Sequence, residues 1–249
     1  MKKTLPLVAS AALVAGLVSA ALAGCSAGSL PGSSSNGNGN AAPVGTSSQT
    51  YSADDLVKIL ETAEKTIGTG KISNNATVQA NIAKAGNIKP SAALTADGGK
   101  IVPASCGTTL DNSIETDSQG FGVGSSGVAA ELQYPKGILA VFSTTHGSLA
   151  SGLATTLTTS LEQLYSACHT MQVIDGPAQL TMTMTKVNDH TDAAQTWALD
   201  EGLKAQGGDS TTTIIEALDG NIFIVDTALG GTNADAVAAV NAVVAAAKG

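Results

Sequence analysis

The sequence contains no arginine. All 12 of its cationic residues are lysines, against 20 acidic residues, so the 249-residue chain carries a net charge of −8. Lys2 and Lys3 are the only charged residues among the first 50, so residues 51–249 hold 10 lysines and 20 acids, a net charge of −10. Nucleic-acid affinity depends largely on neutralising phosphates, and phosphate sites favour the planar guanidinium group. The composition therefore excludes an ordinary nucleic-acid partner and argues against an enzyme that recognises phosphate.

The first 25 residues have the pattern of an export signal. Lys2 and Lys3 are followed by an uncharged, mostly apolar run from Leu5 to Leu22, which ends in Leu22-Ala23-Gly24-Cys25. A basic start, an apolar stretch and small residues before the cleavage point are typical of a secretory signal peptide. The final four residues resemble the bacterial lipobox, which predicts a signal peptide at residues 1–24 and lipidation of Cys25. The alternatives are an uncleaved anchor and an ordinary secreted protein in which Cys25 is incidental.

A tether is predicted after the lipidated cysteine, at residues 25–50. This stretch is rich in Ser, Gly and Asn and has no charged residue. Such a composition buries too little apolar surface to offset the entropy of ordering. As a flexible coil, 25 residues span roughly 28 Å root-mean-square. We therefore expect a folded domain at residues 51–249, held at the extracytoplasmic side of a cell membrane by its lipid anchor.

Cysteine is scarce as well, with three residues in the chain. If Cys25 carries lipid, Cys106 and Cys168 remain, and an oxidising compartment favours a disulfide between them. The alternative is a metal-binding or nucleophilic cysteine, because His169 follows Cys168. Two cysteines and one histidine without a Cys-x-x-Cys spacing are a weak zinc pattern. We expect the disulfide and no metal site.

Hydrophobic periodicity predicts an α+β fold, an antiparallel sheet with helices packed on one face. We expect turns and one or two short strands over 86–125, and residues 196–203 fit either a strand or a helix. Helices are predicted near 52–67, 74–85, 149–168 and 233–247, and Asn233 is the predicted N-cap of the last one. Strands are predicted at 128–134, 138–143, 171–174, 180–187, 210–218 and 221–229.

Several of these segments together resemble a known family. The first two are Pro103-Ala104-Ser105-Cys106 and, in a predicted hairpin, Leu132-Gln133-Tyr134-Pro135. A long predicted helix that ends in Tyr165-x-x-Cys168 comes next. A strand-rich region and an Ala-rich final helix follow it. Over about residues 90–249 the chain resembles the extracellular sensor domain of PknH-type serine/threonine kinases, which also occurs in actinobacterial lipoproteins. Tyr165 stands where that family commonly has Trp, and many members carry two disulfides. The resemblance implies a sensing or binding module and supplies no catalytic residue.

Candidate catalytic groups are few. His146, His169 and His190 are far apart in sequence, and only His190 has close carboxylates, Asp189 and Asp192. Two carboxylates can orient an imidazole for acid–base or metal chemistry, but a polar turn explains the segment better.

A second carboxylate pair is predicted at the Asp219-Gly220 turn. Glu216 and Asp226 face each other if the loop has three residues, which suits acid–base chemistry or Ca²⁺ binding. A solvated sheet face is the better expectation for both. Met171, Met182 and Met184 are expected in the core, with an adaptable apolar pocket as the alternative.

The functional expectation is a lipid-anchored, extracytoplasmic ligand-binding or sensing module without catalytic residues or cofactors. Its partners are the membrane, through the lipid, and a small molecule, lipid, glycan or envelope protein. The alternatives are a cell-envelope hydrolase that uses scattered Asp, Glu and His residues, and an envelope adhesion or scaffold protein.

Overall fold

The computed structural model of the chain contains a nine-stranded antiparallel sheet and several helices, a mixed α+β fold. It describes residues 49–85, 89, 91–92, 95, 98–120, 127–144, 159–160, 162–175, 178–205, 208–229 and 231–249. The predicted signal peptide and nearly all of the tether lie outside these residues. The helices and strands are α1 (Ala53–Ile67), β1 (Lys71–Ser73), α2 (Asn75–Ala85), β2 (Lys100–Val102), α3 (Ala104–Gly120), β3 (Gly127–Tyr134), β4 (Gly137–Thr144), β5 (Thr170–Asp175), β6 (Ala178–Lys186), β7 (Gln195–Ala205), β8 (Gly208–Asp219), β9 (Ile222–Leu229) and α4 (Asn233–Lys248).

The strands follow the order β1-β3-β4-β9-β8-β7-β6-β5-β2 across the sheet. Long antiparallel strands lie in the centre, and the short strands β1 and β2 form the two edges. Short edge strands that carry lysine limit pairing with other chains. The predicted α+β class and antiparallel sheet are confirmed.

Helix α1 begins as its sequence predicts. The Ser52 side chain accepts a hydrogen bond from the Asp55 backbone N–H at 3.2 Å, and the Asp55 carboxylate accepts one from the Ser52 N–H at 3.0 Å. This reciprocal pair satisfies two N–H groups that a helix start leaves without partners. The helix ends at Gly68, whose φ of 108° favours glycine.

Helices α1 and α4 lie together on one face of the sheet, called here the α1/α4 face. Their buried side chains pack against inward-facing residues of β3, β4, β8 and β9. This hydrophobic cluster includes Leu56, Leu60, Leu132, Leu139, Val141, Ile215, Ile224, Val240, Val243 and Val244.

A second hydrophobic cluster lies on the other face, over the half of the sheet formed by β7, β6, β5 and β2. Ala198 packs against the first cluster, whereas its neighbour Leu199 belongs to the second. Successive residues of a strand point to opposite faces, so the two clusters lie on opposite sides of the sheet. The second cluster contains Ile101, Cys106, Leu110, Leu164, Cys168, Met171, Val173, Leu180, Met182, Met184, Leu199 and Leu203, and all three methionines are core residues as expected.

The segment after β2 differs from its prediction. Residues 104–120 form helix α3, where turns and short strands were expected. The sequence is rich in Ser, Thr, Asn and Asp, which favour turns because their side chains compete for the backbone. Cys106 and Leu110 pack in the second cluster. Together with Ile114 they recur every four residues, a short helical spacing that the turn-forming residues around it obscured in the sequence.

The structure resolves one segment that the sequence left open and differs from the prediction at one helix cap. The ambiguous segment at 196–203 is a strand, β7, paired along its length with β8. The N-cap of α4 is Thr232 rather than Asn233, because Asp235 stands three residues after Thr232 and closes a capping box with it. The Asp235 carboxylate also accepts a hydrogen bond from Lys136 Nζ at 2.6 Å, which fastens the β3–β4 turn to this helix start.

Candidate functional site

A cleft lies between α3 and a helical segment at 162–168, on the side of the sheet that carries the second cluster. The two walls are joined by a disulfide between Cys106 and Cys168, whose Cα atoms are 5.4 Å apart. Both cysteines are buried, and the bridge spans 62 residues of sequence. Cys106 lies in the first turn of α3, so the bridge joins two helices rather than a helix and the expected loop.

The described residues that line the cleft are polar and uncharged, apart from one alanine. The cavity measures about 280 Å³ and is lined by Thr109, Asn112, Ser160, Gln163, Ser166 and Ala167. Leu164 and Cys168 turn the apolar side of the segment toward the core. The lining therefore offers hydroxyl and amide groups, and the disulfide links the two helices on which they lie.

One charged residue lies in the segment, Glu162. It forms an ion pair with Lys186 of β6, and the Lys186 ammonium lies 4.9 Å from the centre of the Tyr165 ring. His169 contacts the same ring, with the ring centres 6.3 Å apart. Glu162, Tyr165 and Lys186 are not among the described residues that line the cleft, although Glu162 lies four positions before the lining residue Ser166.

A larger cavity of about 490 Å³ lies at the other end of the molecule, where α4 ends. Tyr51 lines it, and burial and the nearby carboxylates of Asp219 and Asp55 raise the pKa of the Tyr51 hydroxyl. Lys248 Nζ and Asp219 Oδ2 form an ion pair 3.2 Å apart at its rim. This ion pair uses the strongest polar groups of the cavity, which leaves it less suited to a ligand than the cleft.

Asp226 is buried on the α1/α4 face, although a solvated position was expected. Its carboxylate accepts hydrogen bonds from the Tyr134 hydroxyl at 3.1 and 3.2 Å, and the residue has no exposed surface. Burial raises the pKa of Asp226 well above its usual value, against a smaller opposite effect of the Tyr134 hydrogen bond. Burial also raises the pKa of Tyr134, and the neighbouring carboxylate adds to this rise. The pair is an internal hydrogen-bonded contact.

A polar network beside this pair holds the start of α4 to the sheet. The Thr213 hydroxyl lies 2.7 Å from an Asp200 oxygen and 2.6 Å from the Asn233 amide oxygen. Asn233 Nδ2 also donates to Asp200 at 3.5 Å. The network satisfies polar groups of β7, β8 and α4 where they meet, so its function is structural.

Glu201 is buried on the opposite face of the sheet. It pairs with Met184 on β6 and with Thr212 on β8, and only 2% of its surface is exposed. Neither carboxylate oxygen has a hydrogen-bond partner among the described residues. Burial raises its pKa to about 7.

The predicted pairing of Glu216 with Asp226 is wrong. The loop between β8 and β9 has two residues, so Glu216 pairs with Val225 and Asp226 pairs with Ile215. Glu216 and Asp226 therefore lie on opposite faces of the sheet. Both are also buried, so the expected solvated face is wrong too.

The histidines do not form a site within the described residues. His169 and His190 are exposed, and His146 lies outside the part that the structure describes, as does the predicted lipidation site Cys25. Among the described residues, no three His, Cys, Asp or Glu side chains are grouped so that they can hold a metal ion. Asp189 and Asp192 therefore do not assemble a metal site with His190.

Sequence reasoning missed the buried carboxyls, and a signal for them was present. Glu216 stands between Ile214-Ile215 and Ala217-Leu218, and Asp226 follows the apolar run from Ile222 to Val225. Such runs are typical of strands that are buried on both faces, so an acid within them is expected to be internal. The cleft had no comparable signal, because α3 itself was not predicted.

No helix in the described ranges is long and apolar enough to cross a membrane.

No family model and no curated protein matches the sequence. Among solved structures, the fold is similar to the extracellular domain of PknH from Mycobacterium tuberculosis, with a TM-score of 0.46, 11% identity and coverage of 82% of this chain and 100% of that one. It is also similar to an uncharacterized protein from Mycobacterium smegmatis, an Rv0999 ortholog, with a TM-score of 0.32, 13% identity and coverage of 61% and 78%. Both similarities are at the level of the fold.

Proposed function

We propose that the chain is a lipid-anchored, extracytoplasmic module that binds or senses a ligand and carries out no catalysis. The observation that carries this proposal is the cleft between α3 and segment 162–168, whose walls are linked by the buried disulfide and lined by uncharged donors and acceptors. A rigid polar cleft is suited to recognition because its groups are ordered before a ligand arrives.

The anchoring half of the proposal is supported by the sequence. The basic start, the apolar run and the Leu22–Cys25 motif favour export and lipidation of Cys25. A diacylglycerol group brings two acyl chains, which suffice for stable membrane attachment. A disulfide between Cys106 and Cys168 is compatible with the oxidising compartment that export implies.

The chemistry of the cleft supports binding rather than turnover. Nucleophilic catalysis by a hydroxyl needs an adjacent base. The described residues that line the cleft offer no carboxylate or imidazole, and Glu201 and Asp226 are 2% and 0% exposed in the sheet. A hydrolase would need such groups to face its substrate.

The anchor is tested by intact-mass analysis of protein extracted from membranes. We expect the wild-type chain to lose residues 1–24 and to gain an acylglyceryl group on Cys25. The matched variant Cys25→Ala removes only the acceptor thiol, and we expect it to be neither acylated nor cleaved at that site. A wild-type product that starts elsewhere and carries no lipid would refute the anchor.

Binding is tested by recovering the lipidated chain from its native envelope and identifying co-purified small molecules. The control is a tether-only protein, residues 1–50, which carries the same anchor without the folded domain. Enrichment of a lipid, glycan or small molecule over this control is the expected result. Recovery at the control level, or chemical conversion of an added envelope glycan, would count against a non-catalytic binding module.

A further inference from the structure

We infer that the cleft between α3 and segment 162–168 binds a neutral sugar residue. This inference rests on the proposed binding function and names the chemical class of the ligand. It starts from the composition of the lining, in which Thr109, Asn112, Ser160, Gln163 and Ser166 supply hydroxyl and amide groups.

The side-chain chemistry matches a ligand made of hydroxyl groups. An Asn or Gln amide donates from its nitrogen and accepts at its oxygen, and a Ser or Thr hydroxyl does both. A sugar hydroxyl is likewise both donor and acceptor, so it pairs with either kind of group. Asn112 on α3 and Gln163 on the opposite wall are exposed, which places one amide on each side of the cavity.

The described residues of the lining carry no charge, which selects against ionic ligands. A carboxylate, phosphate or ammonium ligand would give up hydration without gaining an opposite charge from these six residues. Glu162 of the segment is already paired with Lys186 of β6. An acidic sugar or a phosphate ester is therefore disfavoured.

Size and shape favour a sugar over a peptide. A cavity of about 280 Å³ lies just below the usual range for drug-sized ligands, about 300–1,000 Å³. Ala167 is the one apolar residue among the described residues of the lining, so these residues form no apolar pocket for a peptide side chain. A sugar ring presents hydroxyls around its whole edge and needs no such pocket.

The walls of the cleft are held at a fixed separation. Cys106 and Cys168 join them within two turns of Thr109 and Ser166, and Cys106 Sγ lies 3.5 Å from the Ala167 carbonyl oxygen at the cavity edge. Leu110 and Leu164 anchor the same helices in the second cluster. Binding therefore does not have to order the walls.

The test uses saturation-transfer NMR on the full acylated chain in detergent micelles. The probes are N-acetylglucosamine, mannose, galactose and arabinose, with the blocked tripeptide N-acetyl-Ala-Ala-Ala-amide as the competing class. For such small ligands we expect saturable binding of at least one sugar, with a dissociation constant on the order of 1 mM. The tripeptide is expected to give no saturable signal.

Variants locate the binding site. Asn112→Ala and Gln163→Ala each remove one amide from a wall and are compatible with a helix, because Ala is the best helix former. We expect each to weaken sugar binding about fivefold or more. Gln133→Ala removes an exposed amide from β3, at the far end of the sheet, and should leave binding unchanged. Thermal unfolding of each variant verifies that it is folded.

The outcomes separate this inference from the proposed function. Saturable sugar binding that falls in both cleft variants and persists in Gln133→Ala supports the inference. No sugar signal, a signal equal in all variants, or binding of the tripeptide alone overturns it. If sugars give no signal while the envelope-extracted chain carries another ligand, the inference fails and the proposed binding function stands. If neither experiment recovers a ligand, both fail.

Discussion

Glu201 makes the stability of this protein depend on pH in a calculable way. The carboxyl is 2% exposed and has no hydrogen-bond partner in the described part of the chain, and its pKa is raised from 4.5 to about 7 by burial. In the unfolded chain it returns to its ordinary value. The folded state therefore binds more protons than the unfolded state between these two pH values.

The sign and size of the effect follow from this difference. Stability from this group is fully present below pH 4.5 and is lost as the pH rises to about 7. A shift of that size corresponds to about 3 kcal/mol of unfolding free energy at most, since one unit is worth about 1.4 kcal/mol. Above about pH 7 the contribution of Glu201 is constant.

The perturbation is Glu201→Gln, which keeps the shape of the side chain and removes its titration. We expect the unfolding free energy of the wild type, measured in urea, to fall between pH 4.5 and 7 relative to that of the variant. At pH 8, Glu201→Gln is then the more stable protein. Asp226 also has a raised pKa and contributes a slope of the same sign, but it is present in both proteins and cancels in the difference. Glu61→Gln, at an exposed position on α1, is the matched control and should follow the wild type. Parallel wild-type and Glu201→Gln curves across this range would refute the reasoning.

Two further predictions concern the buried contacts of the fold. Tyr134→Phe removes the hydrogen-bond donor to the buried Asp226 carboxylate, and we expect it to lower the unfolding free energy by about 1–3 kcal/mol in urea titrations at pH 7. A loss of unfolding free energy below a few tenths of a kcal/mol would show that the Asp226 carboxyl does not depend on the hydrogen bond from Tyr134. The double variant Cys106→Ser/Cys168→Ser opens a 62-residue loop in the unfolded chain, and we expect it to lose about 4 kcal/mol. Unchanged stability, with non-reducing peptide mapping that finds free thiols in the wild type, would contradict the bridge.

The sequence predicted the elements that have a regular apolar pattern. Helix α1 has a capping box and apolar residues at helical spacing, and β6 alternates apolar and polar side chains, so both were identified nearly to the residue. The β8–β9 hairpin followed from Asp219-Gly220, since Gly220 adopts the left-handed conformation that this turn requires. In these elements, local preference and tertiary packing agree.

Prediction failed where tertiary contacts override local preference. Helix α3 packs at Leu110 and is bridged at Cys106, and the turn-forming residues around these two positions outweighed their helical spacing in the sequence. The positions of Glu216 and Asp226 depended on one residue of loop length, which reverses the face of every side chain in a strand. The cleft depends on α3, so it was beyond reach as well.

Strand β7 has a side chain in each of the two hydrophobic clusters, Ala198 on one face and Leu199 on the other. Opening β7 exposes apolar side chains of both clusters, so we expect the two halves of the sheet to unfold together at this strand. A ligand that bound only the folded cleft would then stabilise the α1/α4 half as well, by an amount set by its concentration and affinity. Occupancy of the cleft would in this way be coupled to the stability of α1, the helix that follows the predicted tether.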